Sequence, residues 1–155
     1  MNLFAYGTLM TADGFVHALG DRARSFRYRV ARLPGWRRVW NAYREEWEGG
    51  VLNAERDPAG VIVGVLVEGL APEDLALLDA QESTHLPRKT VAVEPSSGEP
   101  VSAQIYLRRK GDFEGPPSPR YLAAVLERAA QAGAAVLENV RSGTVDASGR
   151  RQNLG

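Results

Sequence analysis

The sequence has no cysteine. Disulfides and thiolate chemistry are therefore excluded, and a structural zinc site loses its usual ligands. Histidine occurs twice, as His17 and His85, which is too few for a histidine-rich metal centre. No apolar run approaches the ~20 residues that a bilayer-spanning helix needs. Residues 1–10 lack the basic start and long apolar stretch of a secretory leader. The expectation is a cytoplasmic protein without metal or cofactor. Charge of one sign is missing too: 19 basic residues balance 19 acidic ones, so no net field favours nucleic acid or membrane.

What is present is ordinary for a globular domain. The 155 residues suit one core, with 44% apolar and 25% charged residues. Arginine dominates the basic set, and eight arginines lie between Arg22 and Arg44. They are interleaved with Phe26, Tyr28, Trp36, Trp40 and Tyr43, a mixture that can bind single-stranded nucleic acid. Glu45, Glu46 and Glu48 follow at once and blunt such a groove. A pair of strands with a solvated polar face is the plainer reading, and no nucleic-acid partner is expected.

Periodicity gives the layout. Residues 2–6 read as a short buried strand closed by Gly7. Residues 11–19 suit a short helix stopped by Gly20. Residues 22–33 alternate as a strand, Pro34-Gly35 reads as a break, and 36–41 resumes in extended form. Gly49-Gly50 is a second break, 51–54 a short strand and 57–60 a turn. Residues 61–68, VIVGVLVE, are apolar at both parities, which predicts a central strand covered on both faces. Pro72-Glu73-Asp74 opens a helix. Two strands follow at 88–94 and 101–107, then a loop at 111–119. Ser118 is placed to cap a helix over 119–131; Gly133 interrupts it, and 134–140 resumes it. Strands first, with helices inserted between them and at the end, predict an α+β fold whose mixed sheet curls towards a barrel. One domain is expected over residues 1–140, with a polar tail at 141–155.

Three separated segments carry the chemistry. Tyr6-Gly7-Thr8-Leu9 follows the first strand. Leu78-Asp79-Ala80-Gln81-Glu82 ends a helix on a carboxylate, with Arg88 beyond it. Pro117-Ser118-Pro119-Arg120-Tyr121 opens the late helix. In this order the chain resembles the γ-glutamylcyclotransferase-like family, which includes AIG2-like proteins, over roughly residues 2–130. The resemblance implies an α+β fold, a small mixed β-barrel with helices packed around it. It implies an enzyme that releases 5-oxoproline and a free amine from a small γ-glutamyl amide, without cofactor or metal. The substrate's own α-amine is the nucleophile, so no catalytic serine or cysteine is required.

On that resemblance Glu82 is the candidate catalytic residue, taking a proton from the α-amine and returning it to the leaving nitrogen. Tyr6, Gly7, Thr8, Leu9 and Tyr121 are the candidate substrate-binding residues. A glycine turn brings backbone N–H groups close to a ligand because no Cβ blocks approach. These groups can hold the substrate carboxylate or the oxyanion at the γ-carbonyl. Each residue also has a plainer reading: a solvated glutamate at a helix end, a strand-to-loop turn, and two core tyrosines. Ser83 stands where family members often have glycine. Thr84-His85-Leu86-Pro87 stands where they often carry an aromatic. A non-catalytic small-molecule-binding or regulatory protein of AIG2-like type is the alternative reading.

Overall fold

A computed structural model describes residues 1–81, 86–109, 116–151 and 154. Its chain order is β1 (Asn2–Ala5), α1 (Val16–Leu19), β2 (Arg27–Arg44), β3 (Gly49–Glu68), α2 (Pro72–Gln81), β4 (Lys89–Pro95), β5 (Val101–Ile105), α3 (Pro119–Ala132), α4 (Ala134–Gly143) and β6 (Val145–Asp146). The strands run β3-β1-β5-β4-β2, and β2 also pairs with β3, which closes the sheet into a five-stranded barrel. It is a mixed barrel: β1 and β5 are parallel, and the other pairs round the ring are antiparallel. The fold is thus the expected α+β barrel with helices around it.

The segment VIVGVLVE forms the second half of β3. Its last four residues pair with β1 on one side and with β2 on the other. Ile62 and Leu66 of one parity and Val65 and Val67 of the other are all buried, as a strand covered on both faces requires.

The breaks expected at Pro34-Gly35 and within 57–60 do not end strands. β2 and β3 form one long hairpin that runs past both. Pro34 still faces Val61, and Trp36 faces Arg56, so Gly35 on one strand stands against four residues on the other. Gly35 takes φ 84°, which its missing side chain permits. Asp57 closes the outpocketing by accepting the Ala59 N–H at 3.1 Å. Turn residues here make a bulge because the ladder on either side outweighs the local signal. The strand expected from residue 22 begins at Arg27, after a 3-10 turn over Gly20–Ser25. The helix expected over 11–19 is reduced to a 3-10 turn and the single turn α1. At the far end α4 runs to Gly143, and β6 returns to lie parallel to β2 beside Val39 and Trp40.

Helix α2 starts as expected. The Asp74 carboxylate accepts the Ala71 N–H at 2.8 Å, the back-reaching half of a capping box. It also takes two hydrogen bonds from Arg22, at 2.8 and 2.6 Å.

Arg38 ties these parts together. It is 1% exposed. Its Nε donates to the carbonyl of Tyr6 at 2.7 Å, at the end of β1. One terminal nitrogen donates to the Val63 carbonyl at 2.7 Å and the other to Asn139 Oδ1 on α4. Burial pushes the guanidinium down to about 9, still charged at neutral pH.

Two expectations follow for stability. Arg38→Met leaves several buried acceptors without a donor, at about 1–3 kcal/mol each, so a loss of about 3–5 kcal/mol is expected in urea denaturation. A loss under about 1 kcal/mol would show that the guanidinium is dispensable. The hydrogen bonds from Arg22 hold Asp74 below the usual carboxylate range. A depressed folded pKa stabilises above the unfolded value of about 4, and that stability is lost as pH falls through the folded value. Asp74→Asn should therefore flatten the acid limb of a stability-versus-pH curve, and an unchanged limb would contradict this.

Candidate functional site

The first strand ends where the site begins. Tyr6 is buried, and its phenol donates to the Tyr106 carbonyl at 2.6 Å. Gly7 leads into a 3-10 turn over Thr8–Met10. A Cβ at Gly7 would stand 2.8 Å from the Tyr121 hydroxyl, so glycine is what lets this phenol approach the turn. A Cβ at Gly14 would stand 2.0 Å from the Thr8 carbonyl oxygen. That same oxygen accepts from Arg128 of α3 at 2.9 Å. The turn is therefore packed from behind and held from the side.

Tyr121 comes from the first turn of α3. Ser118 caps that helix as expected, its hydroxyl accepting the Tyr121 N–H at 3.3 Å. The Ser118 N–H donates to the Gly50 carbonyl at 2.9 Å, which fastens the helix start to β3. The Tyr121 ring meets Trp40 at 5.9 Å and Trp47 at 5.2 Å between centroids, each at 80°. Edge-to-face contacts of this kind favour one ring orientation.

Tyr6, Gly7, Thr8, Leu9 and Tyr121 all line one inner pocket, together with Tyr106 and Arg108. The two tyrosines are core residues and pocket residues at once, so the two readings of them are not exclusive. Beside this pocket lies a larger cleft of about 560 Å³, bordered by Thr8, Leu9, His17, Trp47 and Gln81. Arg44, Arg108, Arg120 and Arg128 line it against Asp13 and Glu46, so among the described residues cations outnumber anions there. Arg120 lies 5.3 Å from the centroid of Trp47 and donates to the Glu46 carbonyl at 2.8 Å. Arg44 donates twice to the Glu46 carboxylate, which holds that carboxyl low.

Glu82 lies outside the described residues, as do Ser83, Thr84 and His85. Gln81, which precedes it, ends α2 at the cleft. Asp79, two residues before Gln81, accepts the Tyr106 phenol at 2.8 Å and two hydrogen bonds from Arg88, at 2.8 and 3.2 Å. A line of contacts thus runs from Tyr6 through Tyr106 to Asp79 and Arg88. Periodicity gives no sign of Tyr106 or Arg108 as site residues. The acid in Leu78-Asp79 and the arginine at 88 are the only traces of this line in the sequence.

Among the described residues no group of three or more His, Asp or Glu could hold a metal ion, and no helix is long and apolar enough to cross a membrane. Among the described residues, three tyrosines, the turn at residues 7–9 and Arg108 line the pocket, a polar set within an otherwise apolar wall.

Gly7→Ala is expected to displace the Tyr121 phenol and lower the melting temperature. Tyr121→Phe removes the clashing oxygen and leaves the nearest ring carbon 4.0 Å away. The double variant should therefore recover part of the loss, which thermal melts of all four proteins would measure. Strictly additive losses would rule out this contact as the reason for glycine.

Comparison with known proteins agrees with this fold. The model of the family described as "Gamma-glutamyl cyclotransferase, AIG2-like" matches residues 3–132. No curated protein matches the chain. A solved structure described as "Gamma-glutamyl cyclotransferase" is 21% identical, with TM-score 0.76, covering 98% of this chain and 93% of its own. The uncharacterized protein loc79017 from Homo sapiens is 22% identical, with TM-score 0.75, covering 92% and 86%. A yeast gamma-glutamyl cyclotransferase specific to glutathione is 16% identical, with TM-score 0.61, covering 90% and 95%. At these identities the solved structures show the shared fold, and the family match shows membership: the chain belongs to the gamma-glutamyl cyclotransferase, AIG2-like family.

Proposed function

We propose that the protein is a cyclotransferase that converts a small γ-glutamyl amide into 5-oxoproline and a free amine. The observation that carries this reading is the convergence of Tyr6, Gly7, Thr8, Leu9 and Tyr121 on one pocket. Gln81, the covalent neighbour of Glu82, lines the adjoining cleft with Thr8 and Leu9.

In the proposed reaction the α-amino nitrogen of the glutamyl group attacks its own γ-carbonyl carbon. A new C–N bond closes the five-membered ring, and the original amide C–N bond breaks. Glu82 takes the proton released by the attacking nitrogen and delivers it to the leaving one, so no proton is gained or lost overall. The N–H groups of Gly7, Thr8 and Leu9 and the Tyr121 phenol serve the negative charge that develops on the carbonyl oxygen. The amine part of the substrate occupies the cleft.

The test is a panel of γ-glutamyl amides assayed for 5-oxoproline release. Glu82→Gln keeps the shape and hydrogen bonding of the side chain but cannot carry the proton. It should lower kcat by about 10²–10⁴-fold with little change in KM. Thr8→Ala should weaken binding by about 0.5–1.5 kcal/mol. A Glu82→Gln rate within about tenfold of wild type would assign the proton transfers to another group. Binding of the panel without product from the wild type would favour the non-catalytic reading.

A further inference from the structure

A separate groove of about 380 Å³ lies between β2 and β4, and none of its lining residues borders the inner pocket or the cleft. It opens where the two strands part. Ala31 pairs with Pro95 and Arg32 with Glu94, but from Val93 back to Lys89 no residue of β4 pairs with β2. In that register Pro34 stands opposite Ala92. Proline has no N–H to give, so the ladder stops there. The other edge of Lys89–Val93 is paired with β5 throughout. The Ser96 N–H donates to the Val30 carbonyl at 3.2 Å, which sets the parity: even-numbered residues of β4 turn their backbone groups towards β2. Thr90 and Ala92 therefore present N–H and C=O groups to the groove.

The charge along this edge has one sign. Arg56 and Lys89 line the groove, and among the described residues no acid does. Neither of these two side chains has a hydrogen bond or an ion pair among the described residues. Nearby carboxylates are engaged elsewhere: Glu55 takes two hydrogen bonds from Arg37, at 2.8 and 2.6 Å, and Asp57 accepts the Ala59 N–H. The Arg56 guanidinium lies 5.1 Å from the centroid of the Trp36 ring. Such stacking fixes the plane of the guanidinium and leaves its N–H edge open to a carboxylate. With Trp36 buried and Arg56 laid over it, no indole face is left for a nucleic-acid base.

We infer that an acidic peptide in extended form adds as a strand to β4 along this edge. Its main chain exchanges hydrogen bonds with Thr90 and Ala92, and its carboxylates reach Arg56 and Lys89. A second copy of this chain is disfavoured there, because it brings the same two cations. The inference is independent of the reaction proposed above.

The experiment titrates the full chain with acetyl-Glu-Val-Glu-Val-Glu amide and follows the backbone amide signals by NMR. Signals of Arg56 and of Lys89 to Ala92 should move, with a Kd at least about tenfold below that of the same peptide carrying lysine in place of glutamate. Methylating the backbone nitrogens of the glutamates, or those of the valines, removes donors from one edge of the peptide only. One of these two peptides should lose binding at least about tenfold and the other should keep it, the signature of strand pairing. Arg56→Glu combined with Lys89→Glu should weaken the acidic peptide at least about tenfold. Ala92→Pro, which removes an N–H from the free edge, should weaken it as well, and where that variant melts too low the two methylated peptides decide on the wild-type chain. Equal binding of the two methylated peptides, or of the acidic and basic ones, overturns the inference, as does the absence of any shift at about 1 mM peptide. A short oligothymidylate that binds as tightly as the acidic peptide also overturns it. Signals of β4 that broaden with protein concentration alone assign the edge to a second copy and overturn it too.

Discussion

One buried guanidinium sets the geometry on which the site depends. Arg38 leaves β2 and gathers the carbonyl of Tyr6, the carbonyl of Val63 and the amide oxygen of Asn139. These acceptors belong to the end of β1, the edge of β3 and the middle of α4. Each is a polar group removed from water, and each needs a donor. A planar cation with five N–H groups can serve several acceptors at once, which a lysine cannot do with the same rigidity. Met10, whose sulfur lies 3.9 Å from an Arg38 nitrogen, packs beside it from the turn that follows Gly7. The carbonyl immediately before Gly7 is therefore anchored to the barrel. A loop anchored at its first residue loses the freedom that would otherwise blur a binding turn.

Two asparagines solve a related difficulty. A small closed barrel with strands of unequal length leaves edges where a backbone has no neighbour. On β3 the stretch before Val65 lies beyond the reach of β1. There Asn139 accepts the Val63 N–H at 2.9 Å and donates to the Val61 carbonyl at 3.0 Å. Asn53 does the same for both backbone groups of Arg108. A carboxamide carries one acceptor and two donors in one plane, so it can stand in for a strand residue. The first asparagine docks α4 on the barrel, and the second holds the chain leaving β5 against β3. Neither could be replaced by an apolar residue of similar size without orphaning two backbone groups.

Much of this was legible in the sequence where the signal is local. The apolar run at 61–68 announces a strand buried on both faces, because valine fills one parity and Ile62 and Leu66 stand on the other. Ser118 before Pro119 announces a helix start, because the cap and the ring act within one turn. Gly7 after an apolar strand announces a close approach, although its partner, Tyr121, was not legible as such. What failed was local punctuation against a long ladder: Pro34, Gly35 and residues 57–60 look like strand ends and are bulges within one hairpin. What could not be seen was long-range. Arg38 meets acceptors 25 to 101 residues away, and Asn53 meets Arg108 across 55. No periodicity encodes such pairs. An arginine in an alternating strand reads as a solvated residue until the fold places it inside.

The two cavities are built from different materials, and that difference bears on specificity. The inner pocket is walled by groups that cannot move independently. Tyr121 is wedged between two indoles and against Gly7, and Tyr6 is bonded at both its phenol and its carbonyl. A pocket with such walls has no inexpensive repacking around a poor fit. The cleft is bordered largely by long charged side chains: Arg44, Glu46, Arg120 and Arg128. Glu46 and Arg120 are exposed there and can change rotamer at the surface, whereas Arg44 is held by the Glu46 carboxylate and Arg128 by the Thr8 carbonyl. On the proposed reading, recognition of an acyl group by the rigid pocket and of an amine by the cleft are separable properties. The half of the substrate held in the pocket would then stay constant while the other half varies with a few cleft side chains.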